Sequence, residues 1–68
     1  MRLSTRNQLK GTVIKVSLGN IMAEVNVDIG GQQVVAAITR GSAEELALAA
    51  GDKVTVLVKA TEVMLGKE

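Results

Sequence analysis

Between Ile21 and Ile29 the chain alternates without a break, with Ile21, Ala23, Val25, Val27 and Ile29 on one side and Met22, Glu24, Asn26 and Asp28 on the other. A period of two sends successive side chains to opposite faces of an extended strand, so this stretch has one apolar face and one polar face. Gly30-Gly31 follows, a pair that takes the positive φ angles of a tight hairpin turn at no steric cost, and Gln32 to Thr39 is predicted to be the returning strand. An antiparallel sheet with one buried face is therefore the frame into which the rest of the chain has to fit.

The flanking segments extend that sheet. Leu9 to Leu18 carries Thr12, Val13, Ile14 and Val16, a β-branched stretch closed by the turn signal Gly19-Asn20. Val54, Val56 and Val58 alternate with Lys53, Thr55, Leu57 and Lys59 in a further strand, and Val63-Met64-Leu65 is predicted to pair briefly as a fifth. Between the third and fourth strands, Ser42-Ala43-Glu44-Glu45 fits a capping box, with the Ser42 hydroxyl on the Glu45 amide, ahead of a short helix through Leu48. Gly51 ends that helix or the turn after it. The expected fold is all-β: a small five-stranded barrel of the OB type with one short helix between strands three and four, closed so that no strand edge is exposed.

Composition sets the next limit. A chain of 68 residues forms one domain, residues 1–68, and buries only about 60% of its unfolded surface, which leaves it marginal alone. With no Cys and no His there is no disulfide and no structural zinc site to help it. Apolar residues make up 47% of the sequence without one Phe, Trp or Tyr, more aliphatic surface than so small a core hides, and a homo-oligomer is the expected outcome. No run approaches the length of a membrane span and the N-terminus lacks the apolar core of a signal peptide, so no membrane association and a cytoplasmic location are expected.

The same inventory narrows the chemistry. Without His or Cys, and with no nucleophile beside an evident base, the chain is not expected to be an enzyme. A formal net charge of +1 gives no field for a large polyanion, and the aromatic platforms on which OB folds stack bases are missing, which disfavours nucleic acid as a partner. Glu24 and Asp28 share the polar face of their strand and are expected to be solvated. Gly30-Gly31 opens no helix and is a turn, not a phosphate cradle. At the helix start, the Glu45 carboxylate would repel an anion.

One pattern is suited to a ligand. Ser4-Thr5-Arg6-Asn7-Gln8 near one end and Lys59-Ala60-Thr61 near the other combine hydroxyl and amide donors with two cations, the equipment for gripping a tetrahedral dianion through charge-assisted hydrogen bonds. On spacing alone these segments are better read as a polar lead-in and a polar strand end. Thr5-Arg6-Asn7-Gln8-Leu9-Lys10-Gly11-Thr12-Val13, then Ala23-Glu24-Val25, then Lys59-Ala60-Thr61-Glu62-Val63-Met64, resembles the molbindins, which are single Mop domains, and the likeness runs from Leu3 to Gly66. The chain departs from the commoner family pattern at Thr5, where Ala is frequent, and at Met22, where the stretch often reads Val-Asn-Ala-Glu-Val.

The resemblance implies a five-stranded OB-like barrel assembled as a hexamer, a trimer of dimers, that binds molybdate or tungstate between subunits. It further implies that Ser4, Thr5, Arg6 and Asn7 of one subunit face Lys59, Ala60 and Thr61 of a neighbour, with a third-strand hydroxyl that would be Thr39. A second class of oxyanion site is carried over to Gly19, Asn20 and Ile21. Molybdenum or tungsten would enter as the oxyanion, not as a free cation, with no organic cofactor. Mop domains also occur fused to winged-helix DNA-binding regions and to ATPases of molybdate importers; residues 1–68 hold neither, so the expectation is storage, buffering and homeostasis of the anion, with selectivity over sulfate set by cavity size. The alternative is an oligomeric OB-type protein that is structural or binds single-stranded RNA.

Overall fold

The computed structural model describes residues 1–68. Its elements are β1 (Asn7–Leu18), β2 (Met22–Asp28), β3 (Gln33–Thr39), α1 (Arg40–Glu45), β4 (Lys53–Val58) and a 3-10 turn, Ala60–Glu62. All strands join one antiparallel sheet in the order β3-β2-β1-β4.

β1 organises the molecule because it is long enough, at 12 residues, to have different neighbours along its length. On one side Asn7 to Thr12 pair with Val58 to Lys53 of β4. On the other, Thr12 to Leu18 pair with Asp28 to Ala23 of β2, with a register shift between Val13 and Lys15. A bulge of this kind bends a strand and increases its twist. The sheet therefore curls about the middle of β1, where Val13 donates its N–H to the Asp52 carbonyl (2.9 Å) and accepts the Gly51 N–H (2.8 Å).

The inner face of the curl is the core. Val13, Val25 and Val27 form its centre, with Val16, Ile29, Ala36, Ile38, Leu48, Val54 and Val56 packed around them. The alternation in β2 does what its period predicts, since Ala23, Val25 and Val27 are buried while Met22 and Glu24 are exposed. Gly11 lies where β1 crosses closest to β2: a Cβ there would stand 2.6 Å from Val27 Cγ1 and 2.7 Å from the Asp28 carbonyl oxygen. The β2–β3 turn is the hairpin expected, with Gly30 and Gly31 at φ 101° and 92° and Ile29 donating its N–H to the Gln32 carbonyl at 2.8 Å. Asp28 is more than a solvated residue, because its Oδ1 accepts the N–H groups of Gly30 (3.1 Å) and Gly31 (2.9 Å).

Two expectations are corrected. The sheet has four strands, not five, because Val63-Met64-Leu65 follows the 3-10 turn and enters no ladder. What closes in the sequence reading as a barrel is a curled half-barrel whose edges, β3 and β4, are not paired to each other. The helix is capped by Thr39, not Ser42: the Thr39 hydroxyl oxygen accepts the Ser42 N–H at 3.0 Å and its O–H donates to Ser42 Oγ at 2.8 Å. Thr39 ends β3 with extended backbone, φ −69° and ψ 149°, the conformation an N-cap requires, so the helix starts earlier than the Ser42 pattern places it and stops at Glu45, short of Leu48. Ala47 at φ 51° and Gly51 at φ 93° then turn the chain into β4, so Gly51 serves the turn after the helix.

Replacing Gly11 with Ala is expected to lower stability by about 1–3 kcal/mol, since the backbone of Asp28 cannot yield as a side chain would. Asp28→Ala, which strips two turn N–H groups of their acceptor at an exposed site, is expected to cost about 1 kcal/mol. Denaturant melts of both variants check the order, and a Gly11→Ala chain as stable as the parent would contradict the close approach.

Candidate functional site

The ligand-suited segments meet at one end of the sheet. Asn7 and Val58 form the terminal pair of the β1–β4 ladder, so Arg6 and Lys59 stand one step beyond it, with Ser4 and Thr5 leading in and Ala60 and Thr61 leading out. The pair is fastened by side chain as well as backbone: Asn7 Nδ2 donates to the Val58 carbonyl at 3.1 Å. Gln8 Nε2 donates to the Thr5 carbonyl at 2.7 Å, which folds the lead-in back over the start of β1. Lys59 is the N-cap residue of the 3-10 turn and its carbonyl accepts the Glu62 N–H at 2.9 Å.

This end of the sheet carries positive charge without a local partner. The chain's one ion pair joins Arg40 to Glu44 (3.3 Å), so neither Arg6 nor Lys59 is neutralised by a carboxylate. Glu62 shares the 3-10 turn but pairs with neither cation. Ser4, Arg6, Lys59, Ala60 and Thr61 are exposed, and Thr5 and Asn7 half-buried. Guanidinium, ammonium, hydroxyl and amide donors in one exposed cluster can offer an anion several hydrogen bonds together with compensating charge.

Thr39 is not part of that cluster within one chain. It pairs with Met22, at the end of the sheet where Leu18 pairs with Ala23. From Asn7 to Leu18 is roughly 35 Å along β1 at about 3.3 Å per residue, and a bulge bends a strand without reversing it. One small anion held at hydrogen-bond distance by Arg6 and Lys59 is therefore out of reach of the same chain's Thr39.

Thr39 lies instead beside the second predicted group. Arg40 donates its backbone N–H to the Ile21 carbonyl (2.7 Å) and its Nη1 to the Gly19 carbonyl (3.2 Å), which ties the Gly19-Asn20-Ile21 turn to the start of α1. Gly19 N–H in turn donates to the Met22 carbonyl at 2.7 Å. Arg40 is the residue that sequence reasoning passed over; it adjoins Thr39, but only the folded structure shows that it holds the Gly19-Asn20-Ile21 turn.

Neither surface groove of the chain contains any of these residues. One, of about 510 Å³, is lined by Met1, Lys10, Gly11, Lys53, Val54 and Thr55 on the β1–β4 side of the sheet. The other, of about 320 Å³, is apolar and opens between β3 and β4. The cationic end of the sheet is thus an exposed donor cluster, not an enclosed pocket.

Comparison with known proteins identifies the family of the chain. The TOBE domain family model matches residues 3–65. The probable molybdenum-pterin-binding protein of Haemophilus influenzae is 41% identical over 69 residues, covering 100% of both chains. Among solved structures, a molybdate-binding protein from Sporomusa ovata superposes with a TM-score of 0.94 at 48% identity, over 98% of this chain and 100% of that one. The cytoplasmic molybdate-binding protein ModG, solved with molybdate bound, gives a TM-score of 0.84 at 44% identity over 88% of this chain but only 43% of its own. These relatives are binding proteins, and the curled all-β fold with one short helix is theirs as well. The chain belongs to the molybdenum-pterin-binding (Mop) family of TOBE domains.

Proposed function

We propose that this protein is a single Mop domain that binds molybdate or tungstate reversibly, storing and buffering the oxyanion in the cytoplasm. The observation that carries this reading is the meeting of Ser4–Asn7 with Lys59–Thr61 at the Asn7–Val58 end of the sheet, with two unpaired cations and several donors exposed together. The relatives described as molybdate-binding proteins support the choice of anion. No reaction is part of the reading: the chain lacks His and Cys, and binding and release of the anion are the whole activity.

The anion is held at subunit interfaces of a homo-oligomer, a hexamer built as a trimer of dimers. An exposed half-site with Arg6 and Lys59 side by side repels a like half-site on another copy, and a dianion placed between them neutralises that repulsion while losing water. Where two such ends face each other, Ser4, Thr5, Arg6 and Asn7 of one copy oppose Lys59, Ala60 and Thr61 of its neighbour. Thr39, at the far end of its own sheet, joins only from a copy other than the one that supplies Lys59. Gly19, Asn20 and Ile21, tied to Arg40, form the second class of site. No organic cofactor is required, and no Phe, Trp or Tyr is present to stack a pterin ring.

Isothermal titration of the purified protein with molybdate, tungstate and sulfate, alongside its mass in solution, tests the proposal. Saturable heat with molybdate or tungstate, silence with sulfate and a mass of several chains are expected; no heat with any oxyanion would leave the alternative of an OB-type structural or single-stranded RNA-binding oligomer. Arg6→Ala and Lys59→Ala should each weaken binding about 10- to 100-fold, the worth of one hydrogen bond to a charged group. Because ligand that binds only the folded assembly stabilises it, molybdate should raise the melting temperature of the parent and raise it less in either variant.

A further inference from the structure

The two donor-bearing segments at the cationic end of the sheet stand on very different supports. Lys59 follows directly on β4 and caps the 3-10 turn, where its carbonyl accepts the Glu62 N–H at 2.9 Å, so its backbone is fixed on both sides. Ser4, Thr5 and Arg6 precede β1, and the β1–β4 ladder begins only at Asn7. Outside the ladders, no backbone–backbone hydrogen bond reaches residues 1–6. Thr5 is half-buried and the other five are exposed, so packing holds this segment little better.

One side-chain bond ties the lead-in down. Gln8 Nε2 donates to the Thr5 carbonyl at 2.7 Å, reaching back three residues, and Arg6 and Asn7 lie inside the loop so closed. No other side-chain hydrogen bond engages residues 1–6, and neither Arg2 nor Arg6 forms an ion pair. Gln8 is a firm base for that reach, because its own backbone is paired with Leu57 in the ladder. The residue type fits the task as well. Asn is one methylene shorter, and Glu, ionised at neutral pH, has no N–H to offer the Thr5 carbonyl.

A free segment that is ordered only as it binds loses affinity to that ordering, and a contact that fixes the bound geometry beforehand reduces the loss. Arg6 belongs to such a segment, whereas Lys59 does not. The single bond from Gln8 therefore bears on the half of the cluster where order is scarce.

We propose that Gln8 is a positioning residue for the anion: its bond to Thr5 holds Ser4, Thr5 and Arg6 in place before the anion arrives, and it makes no contact with the anion itself. The inference rests on the reading that this end of the sheet binds an oxyanion, and it adds how the less supported half of the cluster is kept ready.

Gln8→Met keeps the length of the side chain and removes its donor. Backbone amide order parameters are measured by nuclear magnetic resonance on the parent and the variant without oxyanion, and both are titrated with molybdate. Lower order at Ser4, Thr5 and Arg6 is expected in the variant, with the rest of β1 unchanged. Molybdate should bind it about 3- to 10-fold more weakly, the worth of one exposed hydrogen bond. The melting temperature without oxyanion should not move, since Gln8 is exposed. Affinity equal to the parent's would overturn the proposal and leave the anion reading in place. Weaker binding with the lead-in ordered as in the parent would make Gln8 a direct ligand, which also overturns it. A parent protein that is silent to molybdate would overturn both.

Discussion

The structure depends on one strand being shared. β1 pairs with β4 through its first half and with β2 through its second, and the change of partner happens at Thr12 and Val13, where the bulge bends the strand. Gly11 sits just before that bend because the backbone of Asp28 and the side chain of Val27 come too close for a Cβ. Everything with a functional reading hangs from this crossing. It sets Asn7 against Val58, and so brings the two ends of the sequence together; it also sends Thr39 to the other end of the sheet.

The energetic consequence of so small a curl is a core of five buried residues, Val13, Ala23, Val25, Val27 and Ala43. None is larger than valine, and without Cys or His the chain has no disulfide or Cys/His zinc site to supplement them. Hydrophobic burial on that scale barely offsets the conformational entropy of ordering the chain. Large apolar side chains at the surface, among them Ile21 at 77% exposure and Leu46 at 66%, give association something to bury. In the proposed oligomer, association would contribute stability that the single chain lacks, and an anion held between the copies would add to it.

Much of the fold was legible because it is local. The alternation from Ile21 to Ile29 and the two glycines after it decide the hairpin without reference to anything distant, and Ala23, Val25 and Val27 are the core of the structure as they are the apolar face of the pattern. The misjudged elements depend on neighbours. Ser42 has the spacing of a capping box, but Thr39 already stands at the strand end with its hydroxyl placed, and the earlier cap wins. Val63-Met64-Leu65 has the character of a strand, and whether it pairs within its own chain is a question of tertiary closure that no local pattern answers. The candidate site stands differently again. Ser4 to Asn7 and Lys59 to Thr61 had the donors and cations for an anion, but family resemblance was needed to prefer that reading to a polar background; that they adjoin follows from the Asn7–Val58 pairing, 51 residues apart in sequence.

Under the proposed function the cationic end of the sheet is half of a site completed by another copy. Crystals grown with tungstate and measured at the tungsten absorption edge locate the bound anion by its anomalous scattering. A peak is expected within hydrogen-bond distance of Arg6 and Asn7 of one chain and of Lys59 or Thr61 of another. A peak contacted by residues of a single chain, or one remote from both segments, would contradict it.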